Sequence, residues 1–461
     1  MRAPSPFFRS ITAVVLTAIL TLTPACSDLP TASDAEVVPG TSTSDVTHSK
    51  VHLAEYFDEA TQEVPSKDDD LSVVGLIIGY DDDVASPYEY AIRYEYAIRY
   101  EYAIRYEFTT VVNGLAGTVP LDNLDAFLEE LIEDPNVAWV EPDIKLGLID
   151  LLVNETLGVV ELTTNTLLGL LQTEQMTPWA IPAIGADKTF TKSGDGKGSV
   201  DIDVYIFDTG AFHADLNVTE CLDFTSGDVR DCGLTSELDI NAHGTAVSGA
   251  VAASDNNKGA VGVVPGARVH ALKVLGDDGT APFSRVIHAV EYLTERRLAN
   301  PSIPMVANVS LGAEVGTTAQ TGLDRAISTS IASGITYVVA AGNSGIDAST
   351  VSPAHVPEAI TVGAFDESGI FAPFSNYGSV IDISAPGVDV ESLTSGNAVN
   401  YTSGTSIAAP FVTGAVALML ARHPDMSPEA VRANLVSKAR ANISGVPSGT
   451  TNKSLYVQDL P

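Results

Sequence analysis

The stretch VDIDVYIFDTG, residues 200–210, indicates the fold of the larger part of this 461-residue chain. Its centre, Val204–Phe207, is apolar at every position, and Asp208 follows before a Thr-Gly turn. A strand that is apolar on both faces is typical of a parallel sheet with helices on both sides. Similar apolar runs occur at 267–275, 304–311, 334–342, 359–365 and 380–386.

Helical patterns lie between several of these runs. The clearest repeats apolar residues at i, i+3, i+4 and i+7 spacing, namely Phe283, Val286, Ile287, Val290 and Leu293. Ser427-Pro428 predicts the start of the last helix, because serine caps a helix and proline suits its first turn. The alternation of strands and helices predicts an α/β domain with a mostly parallel sheet and helices on both faces.

Three short motifs in this domain carry side chains that could do chemistry. They are Asp208 in FDTG, His243 in HGTAVSG and Ser406 in SGTSIAAP. Each alone is weak evidence, since a serine or histidine at a helix start is more often a cap. Together they supply the hydroxyl, base and carboxylate that nucleophilic hydrolysis by serine needs, at strand ends and helix starts.

Two other classes of hydrolase fit this pattern less well. An aspartic peptidase needs a second Asp-Thr-Gly or Asp-Ser-Gly, and the sequence has none. An α/β-hydrolase needs Gly-x-Ser-x-Gly and the order Ser, acid, His, whereas the order here is Asp, His, Ser.

From about Gln175 to near its end, the chain resembles a subtilisin-like serine peptidase of the proteinase K branch. The motifs that carry the resemblance are QMTPWAI, SLG, AAGN, FSNYG and GTSIAAP. It implies a serine-type endopeptidase that cleaves proteins or peptides and needs no cofactor for catalysis. One departure is Ile407, where the family usually has Met, and we expect it to tune packing and oxidation resistance only.

The resemblance assigns the catalytic roles residue by residue. Ser406 is the nucleophile, His243 the general base and acid, and Asp208 the carboxylate that orients the imidazole. The side-chain amide of Asn343, with the backbone N–H of Ser406, is expected to bind the developing oxyanion. Removal of such a donor typically lowers turnover by about 10²–10³.

The resemblance also implies where the substrate binds. The cleft is expected to be lined by Ser310, Leu311, Gly312, Ala340, Ala341, Gly342, Gly279 and Phe283. Substrate would pair with these edges as an added strand, and their small, uncharged residues imply acceptance of apolar side chains. Ala281-Pro282 departs from the glycine-rich family pattern, and because proline lacks an N–H, strand pairing there is in question.

A structural calcium ion is a further implication of the resemblance. Asp382, with the carbonyls of Pro357 and Ala359, matches a calcium site of the proteinase K branch. Oxygen ligands of this kind suit calcium. The alternative is a solvated loop aspartate.

The N-terminus has the features of an export signal. Arg2 and Arg9 precede an apolar run that is too short to span a membrane, so residues 1–25 are predicted to be a signal peptide. Cys26 resembles the lipid-modified cysteine of bacterial lipoproteins, and ordinary cleavage after Ala25 is the alternative. Cys221 and Cys232 are predicted to form a disulfide that closes a short loop.

The regions between signal and peptidase domain differ in composition. Residues 26–67 are rich in Ser, Thr, Asp and Pro and are predicted to be a flexible tether. Residues 68–148 resemble the inhibitor-type propeptide of the family, a small α+β domain that binds its own enzyme. A leucine-rich connector, 149–174, leads to the peptidase domain, 175–461, and propeptide removal is predicted just before Gln175.

The propeptide contains a hexad repeat, YEYAIRYEYAIRYEYAIRYEF, at residues 88–108. The alternation of Tyr, Ile or Phe with Glu, Ala or Arg favours a strand, yet a single strand of this length would span roughly 70 Å. We therefore expect one copy to form a strand and the extra copies to bulge out as a loop or hairpin extension that the enzyme can lose.

Charge limits the partners. The formal net charge of −35 argues against nucleic acid, and most of it lies before Gln175. An exported monomer, extracellular or in the cell envelope, is expected.

The alternatives to an endopeptidase are a catalytically silent binding protein on the same fold and an esterase-like hydrolase. The intact catalytic residues argue against the first, and the extended strand-binding edges against the second.

Overall fold

The computed structural model describes residues 73–148, 174–233 and 239–460, except 83, 85, 89–90 and 92–95. The predicted signal peptide, Cys26, the tether and nearly all of the connector lie outside the described residues. The helices are α1 Tyr96–Arg99, α2 Leu121–Glu133, α3 Ala180–Ile184, α4 His243–Ala252, α5 Phe283–Ala299, α6 Gly322–Ala332, α7 Thr405–Arg422 and α8 Pro428–Lys438.

The strands fall into an N-terminal group and a C-terminal group. The first group is β1 Val73–Tyr80, β2 Ala103–Phe108, β3 Gly114–Pro120, β4 Val137–Pro142 and β5 Lys145–Leu148. The second is β6 Asp203–Asp208, β7 Asn217–Asp223, β8 Arg230–Asp231, β9 Arg268–Lys273, β10 Thr280–Pro282, β11 Met305–Val309, β12 Leu311–Glu314, β13 Ile335–Ala340, β14 Val351–Ser352, β15 Ile360–Phe365, β16 Ile383–Pro386, β17 Val390–Thr394, β18 Ala398–Thr402, β19 Arg440–Ala441 and β20 Lys453–Ser454.

The central sheet has the strand order β19-β20-β16-β15-β13-β11-β6-β9-β7-β8. The strands from β7 to β16 in that order pair in parallel, and the short edge strands β8 and β19 pair antiparallel. All six apolar runs named from the sequence are strands of this sheet. The expected α/β fold class is therefore confirmed.

Strand β6 shows how the sheet divides the core. Val204 and Ile206 lie in one apolar cluster with α4 and α7, whereas Tyr205 and Phe207 lie in another with α5 and α6. Successive side chains of a strand point to opposite faces. Because both faces are covered, the centre of β6, Val204–Phe207, must be apolar at every position, as its sequence indicates.

Helix α7 runs through the core and carries Ser406 in its first turn. Among the described residues it is the helix that is long and apolar enough to cross a membrane, but 89% of it is buried inside the protein. Its apolar composition is explained by that burial. Ser427 caps α8, accepting a hydrogen bond from the Ala430 N–H, and Pro428 begins the helix as predicted.

Four of the five N-terminal strands form a separate antiparallel sheet of order β2-β3-β1-β4. Helix α2 packs on one face of it. The other face contributes Ile77, Tyr106, Phe108 and Ala116 to the apolar cluster of α5 and α6. The ring of Tyr106 lies 5.0 Å from that of His288 on α5. This small α+β domain therefore packs directly on the large domain.

The hexad repeat departs from the expected loop or hairpin extension. The last copy forms β2, but the preceding YAIR, residues 96–99, forms helix α1. Tyr96 is 1% exposed, contacts Phe127 of α2 edge-on and hydrogen-bonds to Asp134. The helical copy is thus part of the hydrophobic core of the small domain, because α2 offers an apolar face that only a second layer can cover.

The predicted disulfide is present. Cys221 and Cys232 are bonded with their Cα atoms 5.3 Å apart, and they link β7 to the segment after β8.

Candidate active site

Asp208 and His243 meet at the carboxyl edge of the central sheet. Asp208 ends β6 and His243 begins α4, and Asp208 Oδ1 lies 2.7 Å from His243 Nδ1. Asp208 is 0% and His243 6% exposed. Burial raises the pKa of the Asp208 carboxyl, while His243 and the Thr209 N–H oppose the rise. The pair is brought together by the close approach of α4 to the strand end, where a Cβ on Gly244 would lie 1.9 Å from the Gly210 carbonyl oxygen.

A buried carboxylate, Asp239, supports this pair and was not identified from the sequence. It accepts hydrogen bonds from the hydroxyls of Thr209 and Thr245, at 2.7 and 2.6 Å, and from the Ala242 N–H at 2.9 Å. These bonds tie the residue after Asp208 to the first turn of the helix that carries His243. Asp239 lies four residues before His243, and nothing in its local sequence marks it.

Ser406 is the second residue of α7, which packs against α4. It is fully buried at 0% exposure. Pro410 lies inside the helix, so the Ser406 carbonyl lacks the usual donor one turn further on. The hydroxyl of Ser310 donates to that carbonyl at 2.8 Å. This contact places Ser310 directly beside the candidate nucleophile.

Asn343 follows β13 and is held by the residue next to Ser406. Its Oδ1 accepts bonds from the N–H and the hydroxyl of Thr405, both at 2.9 Å. Because Oδ1 of Asn343 faces Thr405, the side-chain nitrogen of Asn343 points away from Thr405. Gly342 has φ +105°, and a Cβ there would lie 2.1 Å from Asn376 Nδ2, so this bend favours glycine.

Asn376, in the motif FSNYG, fixes the loop that carries Asn343. Its Nδ2 donates to the Ala341 carbonyl at 2.9 Å, and its Oδ1 accepts from the N–H groups of Ser344 and Ile346 at 3.0 and 3.1 Å. The sequence singled out this motif by resemblance without giving it a role. In the structure Asn376 fixes the loop that follows residues 340–342, which form one of the edges expected to bind substrate.

Strand β5 lies between the two edges that were expected to bind substrate. The four-stranded sheet has the order β10-β5-β12-β14, and β5 is antiparallel to both neighbours. Leu148 pairs with Leu311 and Gly147 with Gly312, while the Leu148 N–H donates to the Gly279 carbonyl at 3.0 Å. Since Leu311 follows Ser310, the chain at Leu148 runs towards Ser406.

Pro282 does not interrupt this pairing. It lies opposite Lys145, while the neighbouring Phe283 N–H donates to the Ile144 carbonyl at 2.9 Å. In an antiparallel ladder only alternate residue pairs exchange hydrogen bonds. Pro282 occupies a pair that exchanges none, so its missing N–H has no consequence for the edge.

The residues expected to bind calcium do not fit that ion. The Arg432 guanidinium donates to Asp382 Oδ1 at 2.9 and 2.6 Å and to the Pro357 carbonyl at 2.6 Å. The other oxygen of Asp382 accepts the Thr361 N–H at 3.0 Å. A cation already bridges the carboxylate and the carbonyl, and Ala359 is fully buried beside them. Among the described residues, no cluster of three or more His, Cys, Asp or Glu side chains could hold a metal.

The geometry provides the parts of nucleophilic hydrolysis in adjacent elements. A carboxylate is bonded to a histidine, a serine begins a helix packed against that histidine's helix, and an amide is fixed beside the serine. Next to them, two strand edges bind an extended chain through its backbone. Such an arrangement suits cleavage of a peptide that lies in the cleft as a strand.

Comparisons with known proteins agree with this geometry. Residues 200–456 match Peptidase S8, the Subtilase family. Subtilisin DY of Bacillus licheniformis is 39% identical over 270 residues, which are 58% of this chain and 92% of that protein. The extracellular serine proteinase of Thermus sp. strain Rt41A is 34% identical over 338 residues, which are 73% of each chain.

The fold is also similar to a solved structure, the crystal structure of a cold adapted subtilisin-like serine proteinase. The TM-score is 0.51 at 32% identity, and the match covers 60% of this chain and 97% of that one. Sequence, fold and site geometry thus lead to one conclusion: the chain belongs to the subtilase family and is a serine-type endopeptidase.

Proposed function

We propose that the protein is an exported endopeptidase, made as a zymogen, that cleaves peptide bonds with Asp208, His243, Ser406 and Asn343. The observation that carries this proposal is the buried 2.7 Å bond between Asp208 and His243, beside helix α7, whose second residue is Ser406. In this mechanism His243 removes the Ser406 proton as the hydroxyl attacks the scissile carbonyl, and later donates it to the leaving amine.

The developing oxyanion is bound by the backbone N–H of Ser406 and the side-chain amide of Asn343. Thr405 supports this role, because its two bonds fix the carbonyl end of Asn343 and so preorganise the nitrogen as a donor. Preorganised donors stabilise a transition-state charge because they do not have to reorient during the reaction.

The substrate class is an extended polypeptide with apolar side chains. Strand β5 serves as the example of such a ligand, since its backbone pairs with both edges of the cleft. Leu146 is 1% exposed and lies in the same apolar cluster as Phe283 and Leu311. Broad specificity with an apolar preference follows, because backbone pairing accepts any sequence and this contact favours aliphatic side chains.

The small N-terminal domain acts as an inhibitory propeptide. Asp143 accepts the N–H and hydroxyl of Ser284 at 2.8 and 2.5 Å, and Glu141 accepts the Gly322 N–H at 2.8 Å. Ser284 and Gly322 lie in the first turns of α5 and α6, whose N–H groups have no acceptor within the helix and so can bond to these carboxyl oxygens. Burial raises the pKa of Glu141 to about 8, so its contact is a hydrogen bond that does not depend on a negative charge. Together with β5 in the cleft, the contacts hold the domain over the residues that would bind substrate.

The position of β5 has a consequence for processing. Because β5 runs towards Ser406 at Leu148, we infer that the first cut falls after Leu148 and well before Gln175. The side chain of Gln175 bonds to Asp255 and to the N–H of Asn256. Self-cleavage beyond Leu148 would leave the connector on the enzyme, so a mature N-terminus at Gln175 requires a second cut. N-terminal sequencing of the secreted product tests both cuts.

Export is supported by the predicted signal peptide and by the extracellular Thermus relative. A lipid on Cys26 would tether the precursor to the membrane, and propeptide removal would release the enzyme as a soluble monomer. Globomycin-sensitive processing of the precursor, or mass analysis of the peptide that begins at Cys26, tests this part of the proposal.

Labelling with a fluorophosphonate probe tests the catalytic proposal. We expect one adduct on Ser406 in processed wild-type protein and none in Ser406→Ala. The Ser406→Ala precursor should also keep its full-length mass in a protease-free refolding. An unlabelled Ser406 in processed protein would refute the enzyme mechanism, and a mature species from Ser406→Ala would refute self-cleavage.

A further inference from the structure

A chain of buried polar side chains runs beneath Ser406. The Thr413 hydroxyl lies 2.8 Å from Asn308 Oδ1, Asn308 Nδ2 lies 2.8 Å from the Ser310 hydroxyl, and that hydroxyl lies 2.8 Å from the Ser406 carbonyl oxygen. All four residues are 0% exposed. Most polar side chains at such depth make hydrogen bonds, and each link of this path has a well-defined partner.

The two outer members of this chain lie in otherwise apolar elements. Asn308 interrupts β11, whose other residues, Met305, Val306, Ala307 and Val309, all belong to apolar clusters. Thr413 lies in α7 seven residues after Ser406, which is about two turns further along the same face. The residues around both positions are apolar and buried, so the polarity of these two side chains needs a reason.

The reason lies in the break that Pro410 makes in α7. The Ser406 carbonyl has no N–H one turn further along the helix, and Ser310 supplies a hydroxyl proton instead. A carbonyl left without a donor in this buried place would be costly. The first turn of α7, which projects the Ser406 side chain, is therefore held from outside the helix.

The direction of the Ser310 proton depends on the orientation of Asn308. With the Thr413 hydroxyl donating to Oδ1, the amide nitrogen of Asn308 faces Ser310 and donates to it. The Ser310 hydroxyl then donates its hydrogen bond to the Ser406 carbonyl. If the amide turned over, Ser310 would donate to Asn308 instead, and the carbonyl would lose this bond. Thr413 also lies 3.2 Å from the Ala409 carbonyl, a longer contact than the one to Asn308.

We propose that Thr413 is a positioning residue for Ser406, acting through Asn308 and Ser310. The proposal rests on the proposed role of Ser406 as nucleophile. Thr413 fixes the Asn308 amide, the amide fixes the direction of the Ser310 hydroxyl, and that hydroxyl holds the carbonyl of the reacting residue. Neither Thr413 nor Asn308 is among the residues expected to line the substrate cleft, so we expect the effect mainly on kcat and not on KM.

Thr413→Val tests the proposal, because valine keeps the shape and removes the hydroxyl. With a peptide 4-nitroanilide, we expect kcat to fall about 5- to 10-fold, as for loss of one well-placed hydrogen bond, with KM changed less than twofold. Thr413→Ser should stay within twofold of wild type. The labelling rate constant of a fluorophosphonate, measured on the active fraction, should fall by the same factor as kcat.

Thr294→Val is the matched control. Thr294 is 2% exposed, and its hydroxyl oxygen lies 2.7 Å from the carbonyl oxygen four residues earlier and 2.7 Å from the Ser330 hydroxyl, in a helix remote from Ser406. It should lower Tm and leave kcat unchanged. A kcat of Thr413→Val within twofold of wild type, or an equal loss in Thr413→Ser, would overturn the proposal.

Two further outcomes also decide the question. If Thr413→Val gives no processed enzyme, Thr413→Ala provides a second measurement. If the probe labels neither variant, Thr413 is a folding residue and its positioning role is overturned. Absence of labelling at Ser406 in the wild type would instead refute the proposed function itself. Loss of kcat in Thr413→Val with normal wild-type labelling supports the inference.

Discussion

Removal of the Asp143 carboxylate should release the enzyme from its propeptide earlier. In the complex this carboxylate accepts two bonds from Ser284, one from its N–H and one from its hydroxyl. Hydrogen bonds to a charged group contribute about 1.5 kcal/mol or more each. Burial raises the pKa of Asp143, which means that part of this gain is offset by desolvation of the carboxylate. We therefore estimate a net loss of about 2 kcal/mol for Asp143→Ala, or roughly a 30-fold weaker complex.

The assay is the lag between self-cleavage and the appearance of activity after refolding of the full chain. Cleavage is followed by mass and activity by a chromogenic peptide. If dissociation of the cut propeptide limits the lag, Asp143→Ala should shorten it about 30-fold while the first cut proceeds normally. Glu129→Ala is the matched control, because Glu129 is an exposed carboxylate on α2 of the same domain. An unchanged lag in Asp143→Ala, with normal cleavage, would refute the argument that this carboxylate holds the propeptide.

Three further predictions concern stability and folding. Burial alone would lower the pKa of His355, but its bond to Asp324 at 2.7 Å raises it, so this stabilisation is full below the ordinary histidine pKa and lost as pH rises through the raised value. His355→Gln should therefore cost more free energy of unfolding at pH 6 than at pH 9, measured by denaturant unfolding of the inhibited enzyme; equal losses would contradict this ionic role. Arg432→Ala should create a calcium response at its site, seen as a Tm increase with added calcium that exceeds the wild-type increase, and an unchanged response would show that the guanidinium does not stand in for the ion. Deletion of residues 88–99 should slow folding of the precursor, because it removes both hexads that could form the helix. Deletion of 94–99 alone is the control, because an identical hexad remains to replace the helical one. Normal folding after the longer deletion would show that the helix is dispensable.

The residues proposed to be catalytic could be selected from the sequence because each one lies at the boundary of a strand or helix. Asp208 ends an apolar strand, and His243 and Ser406 begin helices of small residues. Such boundaries are visible in short stretches of chain. Asp239 and Thr413 could not be found in this way, since their roles depend on partners 30 and 105 residues away, Thr209 and Asn308.

The hexad repeat and the expected calcium site also show that a short stretch of sequence does not decide a structure that depends on distant residues. The letters AIR occur in a helix at 97–99 and begin a strand at 103–105, so local sequence did not distinguish the two. The contact of Tyr96 with α2 decided it. Asp382 has the oxygen atoms that calcium prefers, but Arg432, 50 residues further on, supplies the positive charge.

The sequence by itself determined the α/β class, six strands of the central sheet and the disulfide pair, and it supplied the residues proposed to be catalytic. Each of these follows from hydrophobic periodicity, from capping and turn residues, or from a motif whose chemistry requires particular side chains. Only the tertiary structure decided which strand lies in the cleft and how Pro282 fits beside it. It also decided which group pairs with Asp382 and which side chain bonds to the Ser406 carbonyl. These depend on contacts between residues distant in the chain, whose energies come from burial and hydrogen bonding after the chain has folded.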